Sequence, residues 1–383
     1  MLILTEAVER RIFSEQQVDA IKARITGVVG VDNTAENTDL VIEAVFEDFD
    51  IKSAVFKTLD AACGANTILA SNTSSLSVNA LAEATGRPDR FVGLHFFYHP
   101  AKNRLVEVIP AQSTSQQTID RVVQYCKMLG KVVIVCGDRP GFVVNRFFVP
   151  WLNEACLLLE EGHGTAAQID AIACKAFRIG LGPFGLMNLT GPPIALHSTD
   201  YLAEQLETPR YDGAGNLREL VGDNRMWEIE EDNSYTEDQY ESISRRLYGV
   251  VFGVAAQIVD EGVCSIEDVD RGAKVGLRWA RGPFELMNRV GVKASFEMAQ
   301  EYLALCRDDQ GESNWKIPQF FTDRASNDSA WDFSYVDTSI NEGVATITIN
   351  RPEAMNALNE TVIEQLGDCL LYTSDAADDL RCV

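Results

Sequence analysis

The sequence predicts an α/β domain with a mostly parallel sheet, followed by two copies of one all-helical domain. Three observations lead there. Short runs that are apolar on both faces alternate with helical patterns over roughly the first 138 residues. After Asp138-Arg139-Pro140-Gly141 the periodicity becomes almost entirely helical. Within that helical part the sequence repeats itself without gaps at an offset of 100 residues.

In chain order, Ser14-Glu15-Gln16-Gln17 has the form of a capping box, with Val18, Ile21 and Ile25 at helical spacing behind it. The chain is therefore expected to open in or just before a helix, with no strand ahead of it. Residues 39–46 read as a buried strand, and Ile51, Val55, Phe56 and Leu59 give the next helix its face. Strands are expected at 67–70, 91–97, 105–109 and 131–136, with helices over 76–84 and about 115–129.

The repeat pairs Glu161-Gly162 with Glu261-Gly262 and Ile169-Asp170 with Val269-Asp270. It pairs Gly182-Pro183-Phe184 with Gly282-Pro283-Phe284, Leu186-Met187-Asn188 with Leu286-Met287-Asn288, and Gly191 with Gly291. Chance does not keep so many glycines, prolines and asparagines in register. The expected divisions are an α/β domain at 1–138, helical copies at 139–206 and 241–325, and a polar, acidic linker at 207–240. Residues 333–368 open a third type of domain with two alternating strands and a helix start. Residues 369–383 show no period, resemble a translated sequencing adapter, and are treated as non-native.

With 46% hydrophobic and 23% charged residues, the chain reads as a soluble globular protein. Its formal charge of −24 argues against nucleic acid and anionic membrane surfaces as partners. Nine cysteines without a Cys-x-x-Cys pair point to reduced thiols in a cytoplasmic setting, with neither disulfides nor a metal site expected. No apolar run approaches the roughly 18 residues of a membrane span.

The chemistry centres on residues 91–107. His95 lies in one apolar run and Glu107 in the next, and burying either is costly unless it pairs or binds something polar. If the strands bring them together, Glu107 orients the ring and His95 is poised as a general base. A histidine satisfied by a backbone carbonyl fits this stretch equally well. Asn72-Thr73-Ser74-Ser75 directly follows a strand, where open α/β sheets bind ligands, although Ser74 or Ser75 would also serve as an N-cap. Asn145 falls in the opening turns of an apolar helix, and Glu47 and Lys52 flank the end of strand 39–46. Taken singly, Glu47 and Lys52 read as surface charges, and Asn145 fits a solvent-facing position as well as a functional one.

Together they resemble the 3-hydroxyacyl-CoA dehydrogenases of fatty-acid β-oxidation, over residues 1 to about 325. The matching motifs are Asn-Thr-Ser-Ser, His-Phe-Phe, Leu-Val-Glu-Val and Gly-Phe-Val-x-Asn-Arg. The resemblance implies a Rossmann-like first domain and an active site of Ser74, His95, Glu107 and Asn145. It also implies NAD as cofactor, with Glu47, Lys52 and Asn72 as contacts, and an acyl-CoA substrate. The Asn-Arg-Pro-x-x-x-Asn-Ala-Leu motif from Asn350 resembles the opening of enoyl-CoA hydratases, so the layout resembles a bifunctional enzyme. A homodimer is expected of the full-length protein.

The resemblance implies that His95 takes the proton of the 3-hydroxyl as hydride leaves C3, with Ser74 and Asn145 holding the oxygen. Departures are also visible. The family's Gly-x-Gly-x-x-Gly turn would precede residue 1, and no Gly-rich loop follows any strand here, so cofactor binding by this chain is expected to be impaired. Tyr98 and His99 stand where many members carry Asn-Pro. The chain reads as a piece of a longer frame, cut at both ends. The competing readings are a non-catalytic acyl-CoA-binding or dimerising module, and an NAD-dependent dehydrogenase acting on another hydroxyacid.

Overall fold

Ser14-Glu15-Gln16-Gln17 caps a helix as its pattern predicts. The computed structural model describes residues 2–30, 37–306, 313 and 315–379. It begins with α1 (Leu2–Glu9), which the sequence reading did not anticipate, and α2 (Glu15–Lys22). The Ser14 hydroxyl accepts the Gln17 N–H while Gln17 Oε1 accepts the Ser14 N–H, satisfying two donors that a helix start leaves orphaned. Because α2 stops at Lys22, Val18 is buried but Ile25 is exposed.

The first domain carries β1 (Leu40–Glu43), α3 (Phe49–Ala62), β2 (Ile68–Ser71), α4 (Val78–Glu83) and β3 (Phe91–Phe96). It ends with β4 (Leu105–Pro110), α5 (Gln116–Met128) and β5 (Val132–Val135). The strands lie in the order β1-β2-β3-β4-β5, all neighbours parallel except the antiparallel β3–β4 pair. Strands β2 to β4 are buried on both faces, which is why their sequences read as continuous apolar runs. Val122 and Cys126 of α5 cover one face, against Ala70, Leu94 and Val106. On the other face Leu69, Phe91, Leu105 and Ile109 join Phe56, Leu81 and Phe142 in a core that continues into the helical part. The β1 strand is shorter than expected: pairing ends at Glu43, and Val45 and Phe46 are exposed.

Copy one consists of α6 (Val144–Glu160), α7 (Ala166–Phe177), α8 (Pro183–Thr190) and α9 (Pro192–Leu206). After α10 (Gly215–Gly222) comes copy two, α11 (Glu237–Asp260), α12 (Ile266–Arg271), α13 (Pro283–Val290) and α14 (Val292–Leu305), then α15 (Gln319–Ser326). Where α7 is continuous, α12 gives way to a π turn, Gly272–Gly276. Residues 207–240 are not the bare linker that their polar composition predicts. Tyr211, Leu217, Leu220 and Trp227 are scattered through the stretch, all are buried, and they pin it to the helices.

The repeat preserves a specific set of bonds. Asp170 accepts the N–H groups of Phe184 and Gly185 at 2.8 and 3.0 Å, capping α8. Asp270 accepts those of Phe284 and Glu285 at 2.8 and 2.9 Å, capping α13. A Cβ at Gly182 or Gly282 would fall within 2.6 or 2.3 Å of the aspartate's Cα, so only glycine admits this contact. Asn188 exchanges two hydrogen bonds with the backbone of Trp227, and Asn288 does the same with Trp331. Each indole then packs edge-on against Phe184 or Phe284.

β6 (Val336–Asn341) and β7 (Val344–Ile349) form the expected hairpin, and α16 (Glu360–Asp379) follows. The helix runs on through residues read as aperiodic: Leu370, Leu371, Ala376 and Ala377 are good helix formers, and extending an existing helix is easier than starting one. Residues 380–383 of that tail lie outside the described residues. Among the described residues no helix is long and apolar enough to cross a membrane.

Candidate active site

The antiparallel β3–β4 register sets His95 directly opposite Glu107. His95 Nδ1 lies 2.7 Å from Glu107 Oε2, with the residues 6% and 0% exposed. The carboxylate, not a backbone carbonyl, is therefore the ring's partner. The other oxygen of Glu107 accepts the Val144 N–H at 2.9 Å and the Val143 N–H at 3.3 Å. Those amides belong to the first turn of α6, whose dipole favours negative charge at that end. Charge-assisted bonds on both oxygens offset the cost of burying a carboxylate. With Nδ1 committed to Glu107, Nε2 is the ring atom left for proton exchange. Phe97 and Phe142 flank the imidazole at 4.5 and 5.8 Å between centroids.

Ser74 is free of the capping duty that the sequence allowed it. The N-cap of α4 is Ser77, which accepts the Ala80 N–H. The half-buried Ser74 belongs instead to a turn organised by Glu47, whose Oε1 accepts the Thr73 hydroxyl at 2.6 Å and the Ser74 and Ser75 N–H groups at 2.7 and 3.0 Å. The Ser74 hydroxyl itself is 3.3 Å from the same oxygen. Burial pushes the Glu47 carboxyl up, but the Thr73 and Ser74 bonds and the Lys52 charge outweigh it and hold the group below its ordinary range.

Lys52 is not a surface charge: at 1% exposure its ammonium lies between Glu43 at 2.7 Å and Glu47 at 3.2 Å. The second oxygen of Glu43 accepts the Ser71 hydroxyl, so the pair ties β1, β2 and α3 together at the carboxyl end of the sheet. Asn72 is half-buried there, its Oδ1 accepting the Phe96 N–H at 2.9 Å, which leaves the Nδ2 donor for a ligand.

The helical part closes the opposite wall. Asn145 is half-buried in the first turn of α6, one residue beyond the Val144 amide that binds Glu107, and its side chain makes no hydrogen bond with the described residues. Tyr201 of α9 donates its hydroxyl to the Ser75 carbonyl, and burial followed by the charge of Asp138 pushes its phenol up to about 12. Asp138 Oδ2 gathers the Ser77 hydroxyl, the Asn79 N–H and the Asn79 side-chain amide, fixing the junction between the domains to α4. The structure thus brings His95, Glu107 and Asn145 to one corner, and Ser74, Glu47, Lys52 and Asn72 to the neighbouring strand ends.

Sequence reasoning missed Glu43, Tyr201 and Asp138. A glutamate inside the apolar run 39–46 with a lysine nine positions on was a usable signal for Glu43. Tyr201 lies 126 residues from its partner and carries none.

The polar strand ends fit the nicotinamide half of NAD: Asn72 offers an unused amide donor, and Glu47, held by the buried Lys52, is the partly exposed charge there. The pyrophosphate half has no such cradle among the described residues. Gly180-Leu181-Gly182-Pro183-Phe184-Gly185 has the letters of a phosphate-binding turn, but it follows α7 rather than a strand, and Gly182 exists for the approach of Asp170.

Residues 2–139 match the profile of the 3-hydroxyacyl-CoA dehydrogenase NAD-binding domain. Residues 141–237 and 243–327 each match that of the 3-hydroxyacyl-CoA dehydrogenase C-terminal domain, so the repeat is two matches to one family. The chain is 39% identical to the human mitochondrial hydroxyacyl-coenzyme A dehydrogenase over 199 residues, 51% of this chain and 62% of that protein. It is 32% identical to the fatty acid oxidation complex subunit alpha of Vibrio parahaemolyticus over 321 residues, 77% of this chain and 45% of that one. The chain thus spans about three-fifths of the first relative and under half of the second. The crystal structure of a 3-hydroxybutyryl-CoA dehydrogenase from Escherichia coli shares the fold, with a TM-score of 0.75 over 85% of this chain and 89% of that one at 21% identity. Matched in both its α/β domain and its two helical copies, the chain belongs to the 3-hydroxyacyl-CoA dehydrogenase family.

Proposed function

We propose that this chain carries the NAD-dependent oxidation of a 3-hydroxyacyl-CoA to the 3-ketoacyl-CoA, with His95 as general base. The observation that carries the reading is the 2.7 Å His95–Glu107 pair anchored on the first turn of α6. Glu107 holds the imidazole with Nδ1 protonated, so Nε2 takes the proton of the substrate hydroxyl, and the carboxylate stabilises the imidazolium that forms. Asn145 and Ser74 orient the reacting oxygen, the first through its unengaged amide and the second once its hydroxyl turns from Glu47. NAD, when bound, supplies the hydride acceptor, and Asn72 and Glu47 hold its nicotinamide end, with the buried Lys52 fixing Glu47. No described strand is followed by a Gly-x-Gly-x-x-Gly turn, and on that ground binding of the cofactor by this chain is expected to be weak.

Titrating the purified chain with NADH by fluorescence, alongside turnover of a 3-ketoacyl-CoA, tests both parts. The expected outcome is weak binding with turnover at saturating NADH that disappears in His95→Ala. Turnover that survives His95→Ala would overturn the assignment of the base, and tight binding would overturn the reading of a weak cofactor site.

A further inference from the structure

The π turn Gly272–Gly276 is held from two sides. On the inner side it lies against both elements that carry Glu107. A Cβ at Gly272 would stand 2.7 Å from the Val144 side chain, and one at Gly276 would stand 2.6 Å from that of Leu105. The Gly276 carbonyl also accepts the Asn103 side-chain amide at 2.8 Å. Val144 donates its N–H to Glu107, and Leu105 precedes Glu107 by two residues on β4, so the two share a face of the sheet. π turns concentrate where a helix departs from its regular path for a purpose.

On the outer side lies the loop after β7. Arg271, immediately before the π turn and 4% exposed at its side chain, donates to Glu353 at 3.2 Å and to the Asn350 carbonyl at 3.2 Å, and it also pairs with Asp268. Lys274, inside the turn, reaches Glu285 at 2.7 Å and Glu353 at 3.8 Å. Glu353 is itself only 7% exposed, so losing the Arg271 contact leaves it with Lys274 alone, at 3.8 Å, in a poorly solvated place.

We propose that residues 350–354 of the C-terminal module form a latch on this π turn. By anchoring Arg271 and Lys274, the latch keeps Gly272 and Gly276 seated against Val144 and Leu105, and so fixes the corner that holds Glu107. Glu353 and Arg271 are positioning residues in this account; neither touches the reacting atoms. Only the catalytic consequence of the latch rests on the dehydrogenase reading above.

Hydrogen exchange on the full chain tests it. In Glu353→Gln, and equally in Arg271→Gln, amides of 272–279 and 143–146 exchange about tenfold faster, while α8 is unchanged. The double variant is loosened by clearly less than the sum of the two single effects, because the Arg271–Glu353 contact is shared and only the weaker Lys274–Glu353 contact is lost in addition. Glu353→Asp, which keeps the charge, falls between wild type and Glu353→Gln and covers the case in which a neutral variant does not fold. Unchanged exchange at 272–279 in folded variants, or a rise spread evenly over α8 and α13, would overturn the latch. If the wild-type chain turns over a 3-ketoacyl-CoA, Glu353→Gln lowers kcat about fivefold and leaves the KM for NADH within twofold. A wild-type chain without turnover counts against the dehydrogenase reading, and exchange alone then decides the latch.

Discussion

One carboxylate joins the two halves of the site: Glu107 meets His95 Nδ1 at 2.7 Å through one oxygen and the Val144 N–H at 2.9 Å through the other. A glutamine cannot reproduce this, because one end of its amide donates. Glu107→Gln is expected to lower turnover roughly 10²- to 10⁴-fold, the usual range for a misdirected acid–base pair. Glu107→Ala is expected also to cost about 2–4 kcal/mol of stability, since two buried N–H groups and an imidazole lose their acceptor. Steady-state assays and urea unfolding read the two effects separately.

Glu47 is expected to act through the turn it organises. In Glu47→Ala the Thr73 hydroxyl and the Ser74 and Ser75 amides lose a common acceptor, and the Lys52 ammonium keeps Glu43 and a longer contact to the Val45 carbonyl. Amides of 73–75 should exchange faster, and the KM for NADH should rise. Tyr201→Phe removes a single bond to the Ser75 carbonyl and should cost about 1 kcal/mol, with a milder change in the same exchange.

The repeated glycines make a prediction about stability. Gly282→Ala drives a Cβ to 2.3 Å from the Asp270 Cα, and Gly182→Ala drives one to 2.6 Å from the Asp170 Cα. Backbone has to move in both. Each substitution should destabilise by about 2 kcal/mol or more, read as a lowered urea midpoint, with the larger loss at 282.

The capping aspartates also set a pH dependence. Burial, followed by the neighbouring Glu285, pushes the Asp270 carboxyl up to about 8, and burial pushes Asp170 up to about 6; the N–H bonds from the capped helices only partly oppose this. The folded pKa values lie above those of the unfolded chain, so the folded state holds extra protons between about pH 4 and pH 8. Their stabilisation is complete below the unfolded pKa and is lost as pH rises through the folded one. The unfolding free energy read from urea curves should therefore fall from pH 6 to about pH 8 and level off by pH 9, by up to about 1.4 kcal/mol per pH unit for a single group. Asp270→Asn should flatten that fall.

What was legible in the sequence depended on distance along the chain. The His95–Glu107 pair was readable because both residues break apolar runs on strands joined by one short turn, so pairing them needed only the hairpin register. The helical copies announced themselves through Gly182, Asp170, Asn188 and their counterparts, because the glycine's role is steric and the other two each make a specific pair of hydrogen bonds. Trp227 and Trp331 escaped notice because they lie four residues out of the repeat's register, although Asn188 and Asn288 hold them identically. Polar composition hid the packing of 207–240, since four buried side chains suffice to fix it. The roles of Glu47, Asp138 and Tyr201 depend on a fold that brings together segments tens of residues apart, which no local pattern encodes.

If His95 and Glu107 work as one unit, a cycle of single and double variants shows it. Turnover of a 3-ketoacyl-CoA at saturating NADH is compared for the wild type, His95→Gln, Glu107→Gln and the pair. His95→Gln should lose about 10³-fold or more, and adding Glu107→Gln should change little further, because the carboxylate's effect on the proton transfer runs through the ring. Losses that multiply in the double variant, or a His95→Gln chain that keeps its turnover, would contradict their working as one unit.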